Sequence, residues 1–423
     1  MNYKKEDIKK GITIHKINTN KFKTNLFAVF LTTKLDRNTV TKNALLTAVL
    51  RRGTKNLTNQ EDISKALENM YGASFDCGVE KTGDNHIMKF YLESINNEFL
   101  PEQENLSKEC IEILLDIVFN PYLENGQFKS EYVEGEKENL KQIIEGKIDN
   151  KARYAFDRCI EEMYKDQPYG AYKYGYIEDL EKLDSKNLYD YYLDLIKNVK
   201  IDIFVSGNLD GQIIEEIKEN EIIQNLNERN ANYNINKEEN SKSKIDEPKI
   251  VTESMQISQG KLIIGLDVLN NKKEFKYAVS VYNIILGGSA NSKMFQNVRE
   301  KASLAYTAGS NYLRQKDNIF IKCGIDIPNY EKALEIIKEQ LKQMEDGDFT
   351  NEDIQNAKTI IESSVGSIPE SQDSEITYYF SQELSDEFVS IEEYIKKINE
   401  INKEQIMEVA KNIQINTIYF LKD

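Results

Sequence analysis

The chain carries the same order of strand, polar connection, helix and glycine stop twice, and this internal duplication limits the folds open to it more than any local feature does. The first copy reads LFAVFLTTKLDRNTVTKNALLTAVLRRGT from Leu26. The second reads LIIGLDVLNNKKEFKYAVSVYNIILGGS from Leu262. Each copy is therefore expected to be one sheet-and-helix half of the protein.

The agreement continues beyond the stop glycines, Gly53 and Gly287. An Asp-Asn turn before a strand follows at nearly the same distance in each copy, at Asp84 and at Asp317. An amphipathic helix comes next, and a β-rich stretch closes each copy. Many α+β domains share strand-helix-strand order by chance. Here four features align at nearly matched spacing, which favours duplication: the stop glycine, the Asp-Asn turn, the amphipathic helix and the closing β-rich stretch. The pattern predicts the α+β class with two duplicated halves, each a mainly antiparallel sheet with helices packed on one face.

A polar stretch separates the two copies. Residues 225–249, NLNERNANYNINKEENSKSKIDEPK, contain almost no large apolar side chains and are dense in Asn, Lys, Glu and Ser. We predict a first half at 1–225, a linker at 226–249 and a second half at 250–423.

Charge and hydropathy exclude several classes of protein. The formal net charge is −16, which repels nucleic acid backbones and anionic lipid, so we expect no nucleic-acid partner. The N-terminus has no apolar segment of the secretory type, and no run approaches the ~20 apolar residues of a membrane span. We predict a cytoplasmic protein without a membrane partner.

Cysteine and histidine are too scarce and too scattered for metal or nucleophilic sites. Without a C-x-x-C pair, the four cysteines are predicted to be buried reduced thiols: Cys77, Cys110, Cys159 and Cys323. His15 and His86 are the only histidines, and they are too far apart for one helix to present both. Each lies in a predicted strand, and we interpret both as strand-surface or core residues.

One segment of the second half points to a family. Residues 286–310 read LGGSANSKMFQNVREKASLAYTAGS. This segment resembles the L-G-G-G-x-S-S-R-L-F-x-x-x-R-E-x-x-G-L-A-Y pattern of the pitrilysin, insulinase and mitochondrial processing peptidase family of zinc peptidases, with Ser303 in place of the usual glycine. Residues 149–170 are similar to a D-D-K-x-x-Y-A segment of the inactive, YmfF-like bacterial branch. The resemblance covers essentially the whole chain and implies a LuxS/processing-peptidase-like fold of two related halves.

The resemblance implies a zinc site in the first half that this chain has lost. Active members carry H-x-x-E-H on the first-half helix, where two histidines hold zinc and the glutamate activates water. Setting Arg52-Gly53-Thr54 on the K-G-T that follows puts Ala44, Thr47 and Ala48 at the His, Glu and His positions. For the position of the third ligand, a glutamate in the family, the alignment leaves five candidates: Gln142, Ile143, Ile144, Glu138 and Glu145.

The resemblance also implies substrate-binding residues in the second half. The family's Arg and Tyr, which face the zinc of a first half, correspond to Arg299 and Tyr306. An Arg fork and a phenol can donate to peptide carbonyls and to a developing oxyanion. The alternative is that Tyr306 is a core aromatic and Arg299 a surface charge. Gly287 and Gly288 with Ser289 suggest a loop that approaches substrate closely, although both glycines could equally be helix stops.

These expectations define one leading function and one alternative. We expect a non-catalytic subunit that has no metal or cofactor of its own and completes a peptide-binding chamber with a zinc-bearing homologous chain. Its substrate is expected to be an extended peptide, bound as an added strand. The alternative is a structural or regulatory scaffold subunit that binds no peptide. A working peptidase that uses His15 or His86 is the least favoured hypothesis.

Overall fold

The computed structural model describes residues 2–102, 104–209, 211–229, 242–270 and 272–423. Contacts divide the chain into two compact units. The first comprises Met1–Gly146, Ala171–Lys237 and Pro369–Asp386. The second comprises Lys147–Gly170, Glu238–Ile368 and Glu387–Asp423. The predicted boundaries at 225 and 250 stay a prediction, and residues 230–241 of the predicted linker lie outside the described residues.

The first unit is built on a six-stranded sheet and a small hairpin. Its strands are β1 (Tyr3–Lys9), β2 (Ile12–Asn18), β3 (Thr24–Lys34), β4 (Ser74–Thr82), β5 (Asn85–Ile95), β6 (Leu123–Glu124), β7 (Gln127–Phe128) and β8 (Lys200–Gly207). The large sheet has the order β1-β2-β8-β3-β5-β4, and β6 pairs with β7. Within the large sheet, β2 and β8 run parallel and the other paired strands run antiparallel.

Among its described residues, the second unit repeats this sheet without a counterpart of β1. Its strands are β9 (Lys249–Ser254), β10 (Gly260–Val268), β11 (Ala305–Leu313), β12 (Asn318–Ile325) and β13 (Ile413–Lys422). Read from β9, their order is β9-β13-β10-β12-β11, which matches β2-β8-β3-β5-β4 strand for strand. The parallel pair recurs at the same place, between β9 and β13. The predicted α+β fold with two duplicated sheet-and-helix halves is confirmed.

Helices accompany both sheets. Those before residue 230 are α1 (Val40–Leu50), α2 (Gln60–Asn69), α3 (Leu106–Phe119), α4 (Ser130–Glu145), α5 (Lys151–Met163), α6 (Ile177–Leu180), α7 (Ser185–Asn198), α8 (Gln212–Glu219) and α9 (Glu221–Asn225). Those after residue 242 are α10 (Phe275–Leu286), α11 (Tyr330–Asp346), α12 (Asn351–Gly366), α13 (Gln372–Ser385), α14 (Ile391–Asn399) and α15 (Lys403–Lys411). No helix in the described part of the chain is long and apolar enough to cross a membrane.

Backbone hydrogen bonds give the register of the repeat. The amide of Leu35 donates to the carbonyl of Asp84 at 2.8 Å, and the amide of Val268 donates to that of Asp317 at 2.9 Å. The two Asp-Asn turns are therefore equivalent, as the sequence predicts. Counting back along the paired strands equates Leu262 with Val29, so Leu26 and Leu262, where the two copies were taken to begin, are three residues out of register.

Each sheet is also covered on its second face by one helix that is remote in sequence. In the first unit, Ile376 and Phe380 of α13 pack against the sheet with Phe30 and Phe204. In the second unit, α5 packs on β10 and β13, and Phe156 meets Phe320 with ring centroids 5.1 Å apart. The central strands are thus buried on both faces, which explains why all eight residues of β8 are buried.

Candidate functional site

Helix α1 carries the positions where the family resemblance places zinc ligands. Ala44 and Thr47 are buried, and Ala48 is half-buried. The Thr47 hydroxyl donates to the carbonyl of Asn43 at 2.8 Å, so it is committed to its own helix. Leu45, like most of this helix, faces the core of the first unit. The helix therefore keeps its packing role and presents no metal ligand at these three positions.

Helix α4, which packs on α1, carries the candidates for the third ligand position. Ile144 is half-buried, and the other four candidates are exposed: Glu138, Gln142, Ile143 and Glu145. The acidic side chain that α4 does bury is Glu136, whose carboxylate lies 3.4 Å from Nε of Arg52. Sequence reasoning missed Glu136. Its helical spacing from the buried Val133 and Leu140 is the signal that could have found it.

The remaining donors near α1 do not fit zinc. The Cys77 thiol lies 3.6 Å from the carbonyl of Thr47, and burial raises the pKa of this thiol to about 12 against the opposing effect of Arg51. Zinc takes up thiolates, and a thiol with a raised pKa is a poor ligand. The Glu136 carboxylate forms an ion pair with Arg52. Within the described ranges, no group of three or more His, Cys, Asp or Glu side chains could hold a metal ion.

Both histidines are core residues with hydrogen-bond partners. In the first sheet, His15 Nε2 lies 3.0 Å from Asp202 Oδ1, and its Nδ1 lies 2.8 Å from the Tyr3 hydroxyl. His86 Nε2 lies 2.9 Å from the carbonyl of Lys173. Both side chains are fully buried, so neither is presented to a substrate.

The glycine pair of the second unit follows the end of α10. The carbonyl of Gly287 accepts a hydrogen bond from the amide of Ser310 in β11 at 2.9 Å. A Cβ at Gly287 would lie 2.5 Å from that amide, and one at Gly288 would lie 2.6 Å from Ile284 Cδ1. Ser289 follows, half-buried, and its carbonyl accepts from the Ser292 hydroxyl at 2.6 Å. The glycines both end the helix and allow it to approach β11.

Arg299 lies on a single π-helical segment, Phe295–Lys301. Its guanidinium stacks over the Phe295 ring with 4.5 Å to the centroid, and its Nε lies 3.6 Å from a carboxylate oxygen of Glu300. The side chain is 41% exposed. Such π-helical turns are rare and occur often at functional sites. Arg299 is thus held by neighbours on its own segment while its charge remains accessible.

Tyr306 projects from a bulge near the start of β11. The pairing with β12 shifts between Ala305 and Thr307, which leaves Tyr306 as the extra residue. Bulges of this kind redirect a side chain out of the sheet, and Tyr306 is 65% exposed. No hydrogen-bond partner for its hydroxyl is found among the described residues. Tyr306 is therefore not a core aromatic, and its functional role stays a prediction.

The turn between Arg299 and Tyr306 explains the family's glycine. Ser303 has a φ of +52°, in the left-handed region that glycine adopts without a steric penalty. The backbone thus keeps the conformation that a glycine would favour, although this chain has a serine.

Comparison with known proteins agrees with the geometry. The family model described as "Peptidase M16 inactive domain" matches residues 182–361. The Bacillus subtilis (strain 168) protein named "Probable inactive metalloprotease YmfF" is 34% identical over 413 residues, which cover 97% of this chain and 96% of that protein. "Uncharacterized zinc protease YmxG" from the same strain is 22% identical over 316 residues, 72% of each chain. The crystal structure of a conserved protein from Enterococcus faecalis V583 matches with a TM-score of 0.90 and 26% identity, covering 100% of this chain and 99% of that one.

The fold and the first-unit helix together define a class: a two-half peptidase fold whose metal-binding positions carry no ligands. The comparisons place the chain within that class. It belongs to the M16 peptidase family and is an inactive homologue within it, which confirms the predicted family.

Proposed function

We propose that this chain is the non-catalytic subunit of a heteromeric zinc metallopeptidase in the cytoplasm. A zinc-bearing homologous chain supplies the metal and the water-activating glutamate, and this chain completes the peptide-binding chamber. The loss of ligands at Ala44, Thr47 and Ala48 requires a partner if the assembly is to cleave peptides. The proposal gives this chain a role in binding and orienting substrate.

The observation that carries the proposal is the exposure of the Tyr306 side chain. A tyrosine that is 65% exposed on a bulge contributes little to the core, so its placement is better explained by an external partner. A phenol aimed at a scissile carbonyl stabilises the oxyanion that develops when water attacks. Arg299, on the neighbouring segment, can hold a peptide carbonyl or carboxylate through its fork of donors.

The edge position of β11 supports the binding of an extended peptide. In the part of the chain that the structure describes, β11 pairs with β12 on one side only, and on its other side the amide of Ser310 donates to Gly287. The edge that precedes Ser310 can therefore accept an added strand, whose backbone would pair with β11. A peptide in this position passes beside Tyr306.

The relatives support a division of labour between two chains. Bacillus subtilis has one relative named an inactive metalloprotease and another named a zinc protease. An organism that keeps both kinds of chain can assemble a heterodimer of one inactive and one zinc-bearing subunit.

The test is peptide cleavage by the chain mixed with a zinc-bearing homologue from the same cell. Tyr306→Phe removes one hydroxyl and keeps the ring, so turnover should fall about 10²- to 10³-fold, the usual effect of losing an oxyanion donor. Tyr71→Phe is the matched control, because Tyr71 is also exposed and its hydroxyl donates to Glu104 within the same chain. Equal cleavage by Tyr306→Phe and parent, or no gain of activity on mixing, would favour the scaffold alternative.

A further inference from the structure

Two lysines occupy equivalent positions in the duplicated sheets. Lys89 in β5 pairs with Gly78 of β4, and Lys322 in β12 pairs with Gly309 of β11. The equivalent turns at Asp84 and Asp317 fix this correspondence. In each sheet the lysine thus lies beside a strand residue that has no side chain to cover it.

The two lysines differ in their counter-ions. Lys89 forms an ion pair with Glu80, two residues beyond the glycine in β4. The corresponding residue of β11 is Asn311, which has an amide in place of the carboxylate. The Lys322 ammonium lies 3.8 Å from the centroid of the Phe156 ring, and no carboxylate in the described part of the chain is within 4 Å of it. The second sheet therefore has the cation without the carboxylate that accompanies it in the first sheet.

A second cation lies beside Lys322. Lys261 of β10 pairs with Gly324 of β12, and its ammonium donates to Gln259. The equivalent position in the first sheet is Ala28. Cross-strand diagonal neighbours such as Lys261 and Lys322 lie about 7–8 Å apart, close enough for one bound anion to attract both. Thr307 and Asn311 of β11 lie on the same face by strand alternation, and both are exposed.

In the described part of the chain, neither ammonium group forms an ion pair with a carboxylate, although Lys261 donates to Gln259 and Lys322 lies over the Phe156 ring. Burial lowers the pKa of Lys261 and of Lys322, because a partly desolvated ammonium is disfavoured. The Arg153 guanidinium lowers the pKa of Lys322 further, and the Asp157 carboxylate raises it. Asp157 is itself paired with Arg153, with 3.0 Å between Nε and Oδ1. These charges stand out in a chain of net charge −16. A bound carboxylate would relieve their cost.

We propose that Lys261, Lys322, Thr307 and Asn311 form a carboxylate-binding face that takes an acidic side chain of a peptide extended along β11. The ammonium groups supply charge, and the hydroxyl and amide supply further donors. This inference rests on the proposed function and adds a substrate class, which is peptides that carry Glu or Asp beside the segment held by β11. The first sheet cannot bind such a peptide in the same way, because Glu80 neutralises Lys89.

The test is isothermal titration calorimetry of the full chain with two unlabelled peptides of equal length. One carries two glutamates in an Ala/Ser background, and the other has glutamines at the same positions. The glutamate peptide should bind at least tenfold more tightly, as expected for charge-assisted hydrogen bonds. Asn311→Glu should abolish this preference, because it rebuilds the Glu80–Lys89 arrangement around Lys322, and Lys322→Gln should do the same.

Lys332→Gln is the matched control, since it removes the same charge from an exposed position of α11. It should change the preference less than twofold. Asn311→Glu should fold with an undiminished melting temperature. If it does not, the loss of the preference for the glutamate peptide is tested in Lys322→Gln and Lys261→Gln instead. Equal binding of the two peptides, binding of neither, or an undiminished preference in Lys322→Gln would overturn the inference. The proposed function fails separately, by the absence of cleavage in the mixture with a zinc-bearing chain.

Discussion

The carbonyl of Gly287 and the amide of Ser310 are joined by a hydrogen bond of 2.9 Å, which ties the end of α10 to β11. The contact leaves no room for a side chain at position 287, because a Cβ there would lie 2.5 Å from both the Ser310 amide and its hydroxyl. The glycine is therefore a packing requirement of the strand that carries Tyr306.

Gly287→Ala should lower the free energy of unfolding by about 1–3 kcal/mol, the usual cost of forcing an atom into a packed site. Gly366→Ala is the matched control. Position 366 ends α12, and a methyl group added there would meet no atom within 4 Å, so alanine should raise the free energy of unfolding by up to about 1 kcal/mol. Urea unfolding of both variants measures the difference. Equal stability of the two would mean that β11 can move away from α10 without cost.

Much of this fold could be predicted from the sequence, because the spacing of apolar residues and the positions of turn residues recur in the two halves. The sequence predicts the equivalence of Asp84 and Asp317 and the helix that carries Ala44 and Thr47. It does not predict that α5 packs on the sheet of the second unit and α13 on the sheet of the first. An amphipathic pattern predicts that a helix has a buried face, but it does not identify the sheet against which that face packs.

The candidate site was predictable in its residues but not in its geometry. The segment pattern indicates Arg299 and Tyr306. It does not indicate that Tyr306 lies on a bulge, because a bulge depends on pairing with another strand. The difference between Asn311 and Glu80 beside the equivalent lysines was not predictable either, because it is seen only when β11 and β12 are aligned with β4 and β5.

Arg299→Ala should weaken peptide binding by the complex with a zinc-bearing chain. The expected cost is about 1.5–3 kcal/mol if the guanidinium donates to the peptide, and the melting temperature should change little because the side chain is 41% exposed. Lys301→Ala on the same segment is the control. A peptide affinity that is unchanged in Arg299→Ala would exclude Arg299 from the binding surface.

The purified chain should carry no stoichiometric zinc after dialysis against a chelator, because α1 presents Ala44, Thr47 and Ala48 where ligands would be needed. Added zinc should also leave the melting temperature unchanged. A site filled at 100 times its Kd would stabilise the folded state by about 2.7 kcal/mol, which a thermal scan detects. One tightly held zinc per chain, by metal analysis, would contradict the assignment as an inactive homologue.

Ser303→Gly should raise the free energy of unfolding. The left-handed conformation at φ +52° costs a residue with a side chain about 1–2 kcal/mol, whereas glycine loses roughly 0.5–1 kcal/mol through the greater freedom of its unfolded chain. The difference between these two effects is a net gain of up to about 1.5 kcal/mol. Ser303→Ala keeps the strain and should not be stabilising. A destabilised Ser303→Gly would show that the weak 3.4 Å contact from the serine hydroxyl to the Glu300 carbonyl matters more than the strain.

His86 should make stability depend on pH. Burial lowers its pKa from 6.5 to about 4, against the raising effect of the hydrogen bond to the Lys173 carbonyl. Its Nδ1 faces the Asn43 amide nitrogen at 3.0 Å, and the Asn43 oxygen is engaged by the Tyr191 hydroxyl at 2.6 Å, so a proton on Nδ1 would meet a donor.

Because this pKa is depressed on folding, the unfolded chain binds the proton first as pH falls. The stability that the neutral ring provides is complete above pH 6.5 and is lost progressively down to pH 4, by about 3 kcal/mol in total. His86→Gln can keep both hydrogen bonds without titrating. Urea unfolding at pH 7 and pH 4 should therefore show a loss that is about 3 kcal/mol larger in the parent than in His86→Gln. Equal losses would mean that His86 is protonated in the folded protein as readily as in the unfolded chain.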